Sequence, residues 1–286
     1  MIKILLTFLS FVAFTSGCTI ANSLELINHV DDYLEDPDGN HSCGDISTWD
    51  VSNVNSLSAM FRNAVNFTGD ISAWDVSNVE SLKVTFEGAS SFNADISNWN
   101  TSTVSVMMRT FKSASSFNRD LNKWDVSKVV HMGYVFSDAT SFNGDVSDWN
   151  TSSVRSFIGA FSDATLFNKD LSKWVTSSVT SLTKMFNGAT SFNGDVSSWD
   201  TSKVTSLSLT FNGATSFNGD VSNWRLDAYD PAQFAGDDMF NNTPSLTNCN
   251  KRKIFFSWEA QHAGMVSSKY PTWGNLSCFC SINERV

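Results

Sequence analysis

Basic charge is scarce in this chain of 286 residues: 19 Lys and Arg stand against 29 Asp and Glu, giving a net charge of -10 and a pI near 4.7. Phosphate binding needs Lys and Arg gathered on one face, so this balance argues against nucleic acid as a partner. Long hydrophobic runs are also missing. Past the first residues no segment approaches the roughly 20 apolar residues that cross a bilayer, and no transmembrane helix is expected in the mature chain. Catalytic signatures are absent as well: no GxSxG, P-loop, GxGxxG or HExxH string occurs, and His29, His41, His131 and His262 lie scattered, none at metal-ligand spacing from a second His or Cys. No catalytic residue, cofactor or metal is therefore expected, and the chain is read as a non-enzyme. Only 4 Pro and 4 Tyr accompany 10 Trp and 23 Phe, an aromatic load that excludes a disordered chain.

The opening residues read as an address. Lys3 precedes the apolar run Ile4 to Phe14, and Thr15-Ser16-Gly17 sets small residues before Cys18. A signal peptide over 1–17 and a secreted or cell-surface protein are expected. The tetrapeptide ending in Cys18 also resembles a bacterial lipoprotein box, with Thr15 where Leu is usual, so lipidation is the alternative fate of Cys18.

The tryptophans set the organisation. Trp49, Trp74, Trp99, Trp124, Trp149, Trp174, Trp199 and Trp224 follow one another at 25 residues without an insertion. Four residues before each lies an Asp, from Asp45 to Asp220, and three before it an aliphatic such as Ile71 or Val196. Val54 and its equivalents come five after, Phe61 and its equivalents twelve after, then Ala64 and Phe67 with theirs. A unit this short cannot enclose a core, whereas stacked copies pack each aromatic on its counterpart above and below. The fold class expected is a right-handed, leucine-rich-repeat-like repeat solenoid: a short parallel β-strand around F-N-x-D-[ILV]-S-x-W in each coil, one or two helical turns over Ser56 to Ala64, and helices capping both ends. Its divisions are a signal peptide over 1–17, an acidic N-terminal cap over 18–44, the solenoid over 45–224 and a C-terminal cap over 225–286.

The unit S-F-N-G-D-V-S-S-W-D-T-S-K-V-T-S-L over 191–207 resembles the BspA-like family of leucine-rich-repeat surface proteins in its 25-residue, Trp-rich subtype. The resemblance covers about 45–224. It implies a secreted or cell-surface solenoid whose usual role is adhesion or ligand binding, with no catalytic residues to carry over. The last coil departs from the pattern at Trp224-Arg225-Leu226-Asp227, which reads as the onset of a cap.

Before the array, Leu24, Ile27, Val30 and Leu34 recur at helical spacing among acidic residues, which suits an amphipathic helix over the first coil. After it, Asn248 is placed to N-cap a helix with Ile254, Phe255 and Trp258 on one side and Lys251, Arg252 and Lys253 in its first turn. A rod of this length keeps Cys43 away from the far cysteines, because a disulfide tolerates Cα separations only up to about 7 Å. Cys249 is therefore expected to bond Cys278 or Cys280, and Cys43 to bond an unlipidated Cys18. The repeated Asp reads as a turn residue accepting backbone N–H bonds, with calcium binding as the alternative. Six glycosylation sequons occur, at Asn40, Asn66, Asn100, Asn150, Asn241 and Asn275, of which Asn241 and Asn275 lie in the less regular sequence and are favoured.

Whatever the consensus columns do is done at every coil, so a discrete site belongs where coils depart from the Ser/Thr/Asn background. Six, seven, nine and ten residues after Trp, coils three to five place Val106, Met108, Arg109, Val130, His131, Tyr134, Arg155 and Ile158. These form a candidate ligand patch if they face solvent, and core substitutions if they point inward. The function expected is recognition or adhesion toward an extracellular protein or glycan, with homotypic association also open. A structural wall or matrix rod and a β-solenoid polysaccharide-active enzyme are the alternatives.

Overall fold

The computed structural model describes residues 18–36 and 43–278. The signal-peptide reading of 1–17, the sequon at Asn40, His41 and Cys280 lie outside the described residues. Coils of 25 residues stack on one another through the array, but the parallel sheet expected of them is not there: among the described residues there is no β-strand. Single-residue parallel bridges link successive coils instead, from Ser56 to Ser81, Val106, His131, Ser156, Ser181 and Ser206.

The reason lies in alternating backbone handedness. In the first coil Ala59 and Asn63 have φ of 61° and 59°, and the same two columns are left-handed in each coil through Leu209 and Gly213, as at Arg109 and Ser113 or Tyr134 and Asp138. A chain that changes the sign of φ within a few residues cannot hold a pleated strand. It makes overlapping turns: Met60 N–H closes on Leu57 C=O at 3.1 Å, Arg62 on Ala59 at 3.2 Å and Ala64 on Phe61 at 3.1 Å. The alternate donors point along the stack, where Leu57, Ala59, Phe61 and Asn63 donate to Ser81, Lys83, Thr85 and Glu87 of the next coil at 2.7–3.0 Å. The helical turns expected over Ser56 to Ala64 are thus replaced by a ladder of turns.

The stretch read as a strand is also turned. Asp70 Oδ1 accepts Ser72 N–H at 2.9 Å while Trp74 N–H closes on Ile71 C=O at 3.2 Å, and the motif repeats down the array. Asp and Ser bond their own backbone and so outcompete a strand ladder, whatever the preference of the aliphatic between them. Side chains supply the axial bonds here. From Trp74 to Trp224 each indole Nε1 donates to a carbonyl of the preceding coil at 2.8–3.0 Å. Asn118, Asn143, Asn168, Asn193 and Asn218 each donate backbone N–H to the Asn Oδ1 one coil earlier at 2.7–3.0 Å.

The core is a set of aromatic columns. Phe61 to Phe211 stack at 5.4–5.7 Å between centroids and Phe240 of the C-terminal cap extends the column at 5.9 Å. Phe67 to Phe217 form a second column at 5.7–6.2 Å. The eight Trp of the array are all buried. Burying ~200 Å² of each at ~25 cal/mol per Å² gives about 5 kcal/mol of gross stabilisation apiece.

Helix α1, Ser23–Glu35, lies on the first coil with Asn22 as its N-cap. Its inward residues are Leu26 and Val30, whereas Leu24 and Ile27, expected on the packed face, are exposed. Ile20 and Cys18 pair with the Asp50 backbone ahead of the helix, and Tyr33 packs on Trp49 and Phe67. At the other end α2, Asn248–Gln261, and α3, Met265–Lys269, close the stack. The α2 N-cap is Thr247, one residue before the Asn248 expected. Ile254 and Trp258 are buried, Phe255 is half-buried and Phe256 is exposed.

Candidate functional site

Turn geometry decides which side chains reach solvent. The columns eight, eleven and twelve after Trp, such as Met107, Thr110 and Phe111, are buried, while the columns between them turn outward. Val106, Met108, Arg109, Val130, Tyr134 and Ile158 are half-exposed, and His131 and Arg155 are exposed. None fills the core. Val106 bridges His131, and Arg155 N–H donates to Val130 C=O at 3.2 Å, so the eight residues form one strip across coils three to five.

The strip is ordered by contacts between coils. The Arg109 guanidinium lies 5.7 Å from the Tyr134 ring centroid, a distance at which cation–π attraction operates. The ring in turn rests on Gly159, where a Cβ would run into it and where φ is +59°. The ring is what selects glycine there, since other coils hold larger residues at the same φ. On its other side Arg109 approaches Glu87 Oε1 at 3.9 Å, and Arg62 Nε approaches Glu87 Oε2 at 3.4 Å. Met108 and Ile158 occupy one column with Gly133 between them. A Cβ at Gly133 would meet only Ile158 C=O, at an ordinary contact distance of 3.5 Å.

Glu87, Arg62, Gly133 and Gly159 belong to this arrangement and were not singled out from sequence. A signal was present: thirteen residues after Trp, the first three coils carry Arg62, Glu87 and Lys112, where the next four coils have Ser or Asn. Backbone strain runs through the strip but is shared by the coils on either side of it. The first left-handed column holds Val84, Arg109, Tyr134, Lys184 and Leu209 at φ of 52–59°. Such residues cost roughly 1 kcal/mol or more each in that region. The second holds mostly Gly, Asn and Asp, the types that tolerate it.

The Asp columns serve the coil. Asp45, Asp70 and Asp95, four residues before Trp, and Asp125, in the second column directly after Trp, are held below the usual carboxylate range, chiefly by the hydroxyl of the Ser two residues on and then by its N–H. Among the described residues, the one group of three potential metal donors is Cys18, His29 and Cys43, within 4.8 Å of one another. Its two sulfurs are bonded to each other, and His29 Nδ1 sits 3.3 Å from the Cys43 sulfur. The Cys18–Cys43 disulfide has a Cα separation of 4.9 Å, and Cys249 bonds Cys278 at 4.8 Å. His262 Nε2 lies 2.9 Å from Leu226 C=O.

Of the favoured sequons, Asn275 is exposed in a 3₁₀ turn, Trp273–Asn275. Asn241 is half-buried, and the Thr243 hydroxyl of its sequon is buried and donates to Phe240 C=O at 2.6 Å. No helix among the described residues is long and apolar enough to cross a membrane.

No curated protein and no solved structure matches the chain. The family described as "Mycoplasma protein of unknown function, DUF285" matches residues 37–149 and again 134–253. Those two overlapping matches cover most of the stacked coils and more than half of the chain, which therefore belongs to that family.

Proposed function

We propose that the chain is an exported or cell-surface recognition module whose binding face is the strip over coils three to five. The observation that carries this reading is the strip itself: apolar, aromatic and Arg side chains are exposed or half-exposed there, against columns that are mostly Ser, Thr, Asn or Lys on the other coils. Such a mixture is the usual makeup of a binding hot spot. Export is supported by the two disulfides, which persist in oxidising compartments. The BspA-like resemblance of the repeat agrees with adhesion, and the reading assigns the chain no catalysis.

A protein partner is favoured over a glycan. Tyr134 has its ring engaged by Arg109 and Gly159 and does not offer a free stacking platform. The test is a protein and glycan array probed with the purified chain, followed by Arg109→Ala, Tyr134→Ala and Arg155→Ala against each hit. Loss of binding with the melting temperature held within about two degrees supports the strip; a ligand that binds all three variants like the wild type refutes it.

A further inference from the structure

Stacked-coil proteins shield their terminal coils with caps whose outer faces are polar. Both caps here break that rule. On α1, Leu24 is 69% and Ile27 38% exposed, and on α2 Phe256 is 51% exposed. The other large exposed apolar side chains among the described residues, Val65, Leu166 and Val175, lie on the coils and not on the cap helices. The two caps also carry opposite charge. α1 holds Glu25, Asp31, Asp32 and Glu35 and no Lys or Arg. α2 carries Lys251, Arg252 and Lys253 in its first turns, and its one acid, Glu259, is turned onto the N–H groups of Gly264 and Ser267.

The α2 cation and aromatic are presented together: the Arg252 guanidinium lies 5.3 Å from the Phe256 ring centroid. Lys253 is held by Asp220 at 2.9 Å. The two helices sit at opposite ends of the stack, since Ser23 bonds Asn55 of the first coil while Ser257 and Gln261 bond Ser222 and Trp224 of the last. An acidic apolar face at one end and a basic apolar face at the other are complementary to each other and not to themselves.

We infer that two copies of this chain associate head to tail, the Leu24/Ile27 face of α1 on one copy docking against the Arg252/Phe256 face of α2 on the next. The patches differ, so the contact is heterologous and leaves one unused end on each side, the condition for open-ended linear growth. Exposed charges contribute much of the attraction, and salt weakens it. This assembly is independent of the strip over coils three to five, which neither docking face includes.

Sedimentation velocity on the full chain after secretion tests it, from about 1 to about 200 μM protein. In about 50 mM salt the weight-average mass should rise with concentration, and in about 500 mM salt that rise should fall several-fold. Leu24→Asp with Ile27→Asp in one variant, and Phe256→Asp in another, change only exposed positions and should each give a monomer with an unaltered melting temperature. An equimolar mixture of the two variants should form dimers and nothing larger, because each keeps the end that the other lacks. A wild type that stays monomeric at low salt overturns the proposal. So does a folded variant that grows like the wild type, or a mixture that stays monomeric or passes beyond dimers.

Discussion

The tryptophan column makes a prediction whose size follows from the bonds of a single residue. Trp149 is 1% exposed, stacks on Trp174 and Phe136 with centroids 6.0 Å away in each case, and donates Nε1–H to Leu121 C=O at 2.8 Å. That carbonyl already accepts Trp124 N–H at 2.9 Å, so it bridges a turn within its coil and an indole from the next. In Trp149→Phe the indole bond is lost at about 0.5–1.5 kcal/mol, but the carbonyl keeps its turn partner and escapes the larger penalty of a stranded buried acceptor. Removing ~50 Å² of buried apolar surface costs about 1.2 kcal/mol, and incomplete closure of the space adds roughly 1. The expected destabilisation is about 2–4 kcal/mol, or a drop of about 5–12 °C in melting temperature for a folded body of this size. Urea unfolding followed by far-UV circular dichroism measures it. Trp99 has the same pair of bonds, to Ile71 C=O, so Trp99→Phe should match within about 1 kcal/mol. A cost below ~0.5 kcal/mol, or two sites that differ widely, would refute the claim that indole bonds tie each coil to the one before it.

The depressed carboxyls of the Asp columns bind protons less readily folded than unfolded, so their contribution is complete above the unfolded pKa near 4 and lost as pH falls through the folded values; the urea midpoint should be level from about pH 7 to 5 and drop below about pH 4. A midpoint unchanged down to pH ~2.5 would remove the Ser bonds as their cause. Gly159→Ala places a methyl at positive φ and against the Tyr134 ring, and should cost about 1–3 kcal/mol while displacing Tyr134 and weakening binding at the strip. Breaking Cys249–Cys278 by Cys249→Ser should cost about 2–4 kcal/mol, read as faster amide exchange in α2 with the central coils unaffected. Because the Asp carboxylates spend an oxygen on the coil's own Ser N–H groups, a chelator should leave the melting temperature unchanged; a fall of several degrees would restore the calcium alternative.

Aromatic columns were legible because a period without insertions places every Trp and Phe in one environment. The backbone that carries them was not. Val, Ile and Leu beside Trp suggest strands by propensity, yet in this fold they sit inside turns closed by Asp70 and its equivalents, where local hydrogen bonds decide the conformation. The left-handed column at Asn63, Gly88, Asp138 and Gly188 had the residue types that announce it, whereas the column at Val84, Arg109 and Tyr134 gave no such warning, since its residues are poor choices for that conformation. In α1 the series from Leu24 and the series from Leu26 share helical spacing, and contacts with the first coil, such as Tyr33 on Trp49 and Phe67, separate them. The candidate patch could be located from departures in composition; the part played by Glu87 and by two glycines depended on geometry between coils.

The axial bonds also act as a ruler on gene length. The Asn ladder, the indole bonds and the turn ladder each join positions a fixed number of residues apart, 25, 28 and 24 respectively. Inserting one residue into a coil throws every bond that crosses the insertion out of step at once, whereas loss or duplication of a whole coil disturbs none of them. Deleting residues 125–149 would set Asn150 after Trp124, the place that Asp125 now fills, with Thr151 and Ser152 following as in any other coil. Lineages of such genes should therefore differ by multiples of 75 nucleotides between the caps, and a rod can lengthen or shorten in evolution without either end having to be redesigned.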